Sequence, residues 1–325
     1  MLKTLRRALP ALTFALAAVA STSALAAYPE QPIKVIVAYA AGGGSDIIAR
    51  LTAQYLQKHL GGGANVVVMN RPGAGGAIGF TELTTAKADG YTIGMINTPN
   101  VLTIPIERKA NFHWQQYDLL GNMVDDPGNF AVLADTPIKN LADLVAYAKA
   151  NPGKVTYGTT GIGSDDHLAT LMFEKAAGVQ FTHVPFKGAA EVHNALASKQ
   201  VMMAAMNIGE ALMYLKGGTP LRNLGTMSEK RSTLAPDLPT FKEQGFNVIM
   251  ASLRGIAAPK GLPPEVLEKL ATALQKTADD PEFKAKAAGY FAPLRFLAPA
   301  AYAEALTKDE AGFKQLWLTM PWTEK

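Results

Sequence analysis

The chain has no cysteine in its 325 residues. That absence excludes disulfides, thiolate zinc sites, iron–sulfur ligation and a cysteine nucleophile together. A chain of this length can bury a core large enough to be stable without disulfides, even in an oxidising compartment. Histidine is scarce: His59, His113, His167, His183 and His193 are spread out, with no HExxH or other metal-ligating spacing, so neither a metal nor a cofactor is expected. No apolar run after residue 27 is long enough to cross a bilayer. Charge is close to balanced as well, and most of the excess is confined to the start of the chain.

Lys3, Arg6 and Arg7 precede an apolar run from Ala8 to Ala20, which ends in STSALAA. A basic start, a short apolar run and Ala24-Leu25-Ala26 in an A-x-A pattern read as a signal peptide over residues 1–27, cleaved near Ala26 or Ala27. A membrane anchor would need about 20 apolar residues; this run is shorter and closes on small residues. Losing three cations and no acid takes the formal charge from +4 to +1, which argues against a nucleic-acid partner. With 48% hydrophobic and 18% charged residues, the remainder is of ordinary globular composition.

From Ile33 onward, short β-branched runs alternate with helical ones, the pattern of α/β layering around a mostly parallel sheet. Strands are expected at Ile33–Tyr39, Asn65–Asn70 and Tyr91–Ile96, each ending in a glycine-rich or polar loop. In open α/β sheets, ligands bind outside the carboxyl ends of strands. Leu119–Leu133 reads as two apolar runs around a polar turn at Asp125, Asp126 and Pro127, crossing into a second lobe. Asn247–Ala258 is long for a strand and suits the return crossing. The expected division is 28–124 plus 253–325 for one lobe and 125–252 for the other, with a helical tail from 263 to 318 broken by a turn around Tyr290–Leu294.

Two loops carry the candidate chemistry. AGGGSD at 41–46 and TTGIGSDDH at 159–167 each join a strand to a helix. Glycine lets backbone approach a ligand closely, and the first N–H groups of a helix have no internal partner. Neither loop is a dinucleotide fingerprint or a P-loop: Ile47 stands where G-x-G-x-x-G needs glycine, and no lysine follows. Each alone could be a strand-to-helix turn shaped by geometry; their recurrence in two lobes favours a two-sided anion site. Ser164 and His167 do not form a nucleophile elbow, since GIGSDDH lacks G-x-S-x-G, and Ser164, Asp165 and Asp166 read better as a helix N-cap cluster. His167 can still face a ligand from the first turn. Arg254 lies in the apolar run NVIMASLRGIAA and needs an anion, either a protein carboxylate or a ligand carboxylate held bidentately. Lys187 has the same two readings.

Taken in order, YPEQPIKVIVAYAAGGGSDIIAR at 28–50, VVVMNRPGAGGAIG at 66–79, DGYTIG at 89–94, YGTTGIGSDDHLA at 157–169, HVPFKGAAE at 183–191 and RGIAAPKGLP at 254–263 resemble the substrate-binding proteins of tripartite tricarboxylate transporters, the Bug or TctC-like family. The resemblance implies a two-lobed, type II-like periplasmic binding protein. Each lobe would be a mixed, mostly parallel sheet flanked by helices, joined by two crossing segments that close like a Venus flytrap. It also implies a periplasmic, non-enzymatic and monomeric protein that delivers a small di- or tricarboxylate to an integral-membrane permease. Carried over, the ligand is held by Gly43, Gly44, Ser45 and Asp46 from one lobe and by Thr159, Thr160, Gly161, Gly163 and Ser164 from the other. Asn97 and Thr98 would line the cleft too, while His167 and Arg254 are added from the reading of the residues themselves. A sensor subunit for a two-component system would share every one of these features, and a Ser164–His167 hydrolase is the enzymatic rival.

Overall fold

The structure is a computed structural model that describes residues 28–323; the signal peptide read from the sequence lies outside the described residues. Ten strands form one sheet, eight of them in the order β2-β1-β3-β9-β4-β7-β5-β6 and the other two, β10 and β8, pairing to β4 off that path. The first half holds β1 (Ile33–Val37) between β2 (Val66–Asn70) and β3 (Thr92–Asn97), all parallel. The antiparallel strands β9 (Ala251–Pro259), β4 (Tyr117–Leu133) and β10 (Leu294–Leu297) then follow. In the second half β5 (Thr156–Thr159) lies parallel to β6 (Thr182–Pro185) and β7 (Met203–Asn207), with β8 (Leu221–Thr226) antiparallel to β4.

The two halves meet on β4. Its residues from Tyr117 to Pro127 pair with β9, and those from Gly128 to Val132 pair with β7. The polar turn expected at Asp125–Pro127 is therefore absent, and one 17-residue strand runs through. Proline is tolerated there because it has no N–H to contribute and sits at the handover from one sheet to the other. The second crossing returns near Met250, whose carbonyl accepts from Gly128 N–H at 2.9 Å.

Period-2 alternation builds the cores. In IKVIV, Ile33, Val35 and Val37 face α1 (Gly44–Leu60), α8 (Pro264–Asp279) and α9 (Pro281–Gly289). Ile36 and Ala38 face the opposite layer, formed by α2 (Ala77–Thr85), α3 (Asn100–Glu107) and α10 (Pro299–Thr319). The second half has its own core of Phe130, Leu141, Tyr157, Phe173 and Phe241, under α4 (Leu141–Ala150) and α5 (Asp165–Ala177). Its other face is covered by α6 (Ala189–Ala197) and α7 (Ile208–Lys216). The tail departs from expectation. β10 interrupts the helical run, and although Tyr302 and Leu306 of α10 pack in the first half, Leu316, Trp317 and the fully buried Trp322 pack into the aromatic core of the second.

Candidate functional site

The carboxyl ends of strands from both halves converge on one small cavity of ≈ 20 Å³, room for about one or two water molecules. Gly43, Gly44, Ser45 and Asp46 enter it at the start of α1, Asn97 at the end of β3 and Asn100 at the start of α3. From the facing half come Thr160 after β5, Asp165 at the start of α5, Ala189 at the start of α6, and Asn207 and Glu210 at the start of α7. Ser252 and Arg254 of β9 close the back wall, and Tyr39 and Ala40 the near edge. Residues at five helix N-termini thus border one cavity, each terminus bringing the positive end of its dipole to it.

The glycine loop after β1 is held from behind. The N-cap of α1 is Gly43. Asp46 reaches back to accept from Gly42 N–H at 2.9 Å, and also from Arg50 and Asn70. Burial pushes its carboxyl up, but the bonds from Arg50, Gly42 N–H and Asn70 outweigh that and hold it below the ordinary range. Ser45 Oγ accepts from Asn97 Nδ2 at 2.8 Å, tying the loop to the end of β3. Asn97 Oδ1 and Asn100 Nδ2 are buried with no hydrogen-bond partner among the described residues.

Arg254 has protein partners. Its Nη2 donates to Asn207 Oδ1 at 2.7 Å and to Glu210 Oε1 at 3.0 Å, and its Nη1 lies 3.4 Å from Asp126 Oδ2. Asp165 and Asp166 act on it as well, so one buried guanidinium faces four buried carboxylates. Burial drives Asp126 up to about 7 and Asp165 up to about 6, and it drives Asp166, with Asp165 and Glu210 nearby, well above the usual carboxylate range. The guanidinium opposes the rise at Asp126 and Asp165, and these acids in turn keep Arg254 protonated.

Of the residues expected at the site, Gly43, Gly44, Ser45, Asp46, Asn97, Thr160 and Arg254 line the cavity; Thr98, Thr159, Gly161, Gly163, Ser164 and His167 do not. Thr98 stitches the β3 loop to β9, accepting from Leu253 N–H at 2.9 Å. Ser164 Oγ caps α5 by accepting from His167 N–H, while His167 Nδ1 accepts from Gly163 N–H at 3.2 Å. The two side chains are therefore not arranged as nucleophile and base. His167 stacks on His183 at 4.2 Å, and Thr159 Oγ1 contacts His183 Nε2 at 2.6 Å, on the wall of a separate cavity. Gly161 serves closure: at φ +126°, a Cβ there would come within 3.0 Å of the Gly75 Cα across the cleft. Glu210, Asp165, Asn207 and Asn100 were not expected. An acid in the first turn of a helix reads as an N-terminal charge, and nothing local marks it as facing a cleft. Among the described residues no cluster of His and acidic side chains suits a metal ion, and no helix is long and apolar enough to cross a membrane.

Two α/β halves joined by β4 and a return segment, with helix N-termini converging between them, define the periplasmic binding-protein class of fold. The chain belongs to the tripartite tricarboxylate transporter receptor family, whose model matches residues 48–291. It is 36% identical over 298 residues to the UPF0065 protein in the gbd 5′ region of Cupriavidus necator, a match that covers 90% of this chain and 89% of that one. The solved periplasmic binding protein BugD superposes with a TM-score of 0.85 at 31% identity, over 92% of this chain and all of BugD. R. palustris Rpa4515 with adipate superposes with a TM-score of 0.84 at 27% identity, over 90% of this chain and 98% of that one.

Proposed function

We propose that this chain is a periplasmic solute-binding protein that captures a small organic carboxylate of di- or tricarboxylate size between its two halves and delivers it to an integral-membrane permease. The observation that carries this reading is the convergence of five helix N-termini on one cavity whose walls come from both halves. Such termini favour anions, each by roughly 0.3–1 kcal/mol and more when partly buried. The receptor family and the adipate-bound relative support the ligand class, and family membership supports the permease partner.

A six-carbon acid is several times larger than the cavity, so binding requires the halves to part about β4 and the return segment and then to close around the ligand in a wider arrangement than this one. No chemical step is called for. A thermal-shift panel of mono-, di-, tri- and aromatic carboxylates tests the reading. Ligand at 100 times its dissociation constant adds about 2.7 kcal/mol of stability, and a panel with no responder at millimolar concentration would overturn it.

A further inference from the structure

Glu210 Oε1 accepts from Gly44 N–H at 3.0 Å and from Arg254 Nη2 at 3.0 Å. The first donor is the glycine loop at the start of α1; the second is the guanidinium of β9. These are two of the groups best suited to a ligand carboxylate in this cleft, one a helix-terminal amide and the other a fork-shaped cation. A side chain of the chain itself holds both. The Glu210 carboxylate reaches across from α7 and sits where an anionic ligand group would otherwise be bound. The remaining guanidinium contacts go to Asp126 and Asn207.

The rest of the wall is built of acids as well. Asp165 lines the cavity beside Glu210, with Asp126 and Asp166 in the same buried cluster, and Arg254 is the one guanidinium among them. A second ligand carboxylate placed here would meet desolvated acids whose shared counter-ion is already engaged. Two uncharged side chains show that this wall is nevertheless built to receive something polar. Asn97 and Asn100 are each 2% exposed and line the cavity, and each has one amide atom with no partner. Whichever way the amides are turned, they hold unused hydrogen-bonding capacity at the cavity wall, which is costly unless something meets it.

We infer that Glu210 is a built-in counter-carboxylate of the cleft, so that the ligand presents an ammonium to the α7 wall and keeps its own carboxylate for the α1 and α3 termini. The inference rests on the carboxylate-binding reading for the place and size of the ligand, and it narrows the chemistry: one end anionic, the other cationic.

The test is a set of matched pairs measured by isothermal titration calorimetry on the mature protein. Succinate, glutarate and adipate are each compared with the acid in which one carboxylate is replaced by an ammonium, namely β-alanine, 4-aminobutyrate and 5-aminopentanoate. In the pair whose length fits, the aminated acid is expected to bind about tenfold tighter or better, a difference of about 1.4 kcal/mol. Glu210→Gln keeps the acceptor oxygen but removes the charge, and is expected to reverse that preference. A dicarboxylate that binds as well as its aminated counterpart, or better, in every pair that responds overturns the inference while leaving the carboxylate reading intact. If none of the six binds, the inference falls, while the carboxylate reading stands or falls by the wider thermal-shift panel. Should Glu210→Gln fail to fold, the wild-type pairs decide alone.

Discussion

Gly44 and Glu210 lie 166 residues apart, yet the amide of one donates to the carboxylate of the other at 3.0 Å across the cleft. The contact joins the first turn of α1 to the first turn of α7, so each half supplies one member. It also explains why residue 44 has no side chain. A Cβ there would come within 2.5 Å of both Glu210 Oε1 and Arg254 Nη1.

Gly44→Ala is therefore expected to part the two halves. The overpacking cost is about 1–3 kcal/mol, since a buried ion pair and not the tip of a flexible side chain must move. At Gly43 the nearest atom to a Cβ is the Ala189 methyl at 3.4 Å, an ordinary contact. Gly43→Ala should then stay within about 0.5 kcal/mol of the parent. Urea unfolding of the two variants checks the contrast, and equal destabilisation would remove the Glu210 contact from the account.

The acid cluster makes stability depend on pH in an uncommon direction. Asp126 titrates near 7 in the fold and near 3.9 in an unfolded chain. Between those values the folded state holds a proton that the unfolded state has lost, so stability falls as pH rises through the folded value. Asp165, near 6, acts in the same sense at slightly lower pH. Burial of His183, which holds its pKa down to about 4, and of His193, also held down, works the other way until the unfolded imidazoles have lost their protons above about pH 6.5. The Asp126 contribution is therefore read as a difference: from about pH 5 to 7 the unfolding free energy of the parent should drop relative to that of Asp126→Asn, at most by about 1.4 kcal/mol per pH unit. A difference that stays flat or rises over this window would contradict the protonated cluster.

The glycine loop after β1 was legible through its counterpart: alone it reads equally as a strand-to-helix turn, and the similar loop at 159–167 favoured a site. Arg254 was legible as a cation needing an anion, since a guanidinium in an apolar strand must be paired. What the sequence could not tell was which anion. Glu210 and Asp126 come from α7 and β4, 44 and 128 positions away in sequence, and only the sheet order brings them together. Asp126 misleads locally as well: an Asp-Asp-Pro run has the composition of a turn, but here it lies in a strand that changes sheets. The TTGIGS loop was read as entering a helix and facing the cleft, and it does both, but mostly away from the small cavity. Its glycines at 161 and 163 are used for close approach to Gly75 and Thr103 of the other half, leaving Thr160 as its one cavity residue.

Ser164→Ala separates a structural hydroxyl from a binding one. Ser164 is fully buried, and its Oγ accepts from His167 N–H at 3.2 Å as the N-cap of α5. Removing the cap should cost about 1 kcal/mol of stability and leave carboxylate affinity within about twofold, because the side chain does not reach the cavity. A tenfold loss of affinity at unchanged stability would place Ser164 at the ligand after all.

The C-terminal segment ties the halves together from outside the cleft. α10 is rooted in the first half by Tyr302 and Leu306, and beyond Phe313 it delivers Leu316, Trp317 and Trp322 to the core of the second. Trp322 is fully buried and packs edge-on against Trp317 at 4.7 Å. Trp322→Ala should cost about 3–5 kcal/mol, as other large-to-small aromatic core changes do. The loss would fall on the second half first, since that is where the cavity opens. Unfolding followed through far-UV circular dichroism and tryptophan fluorescence should then coincide for the parent chain and separate for the variant, the mark of two halves no longer melting as one unit. If the two signals stay coincident and the midpoint barely moves, the segment is a passive tail and not a strap.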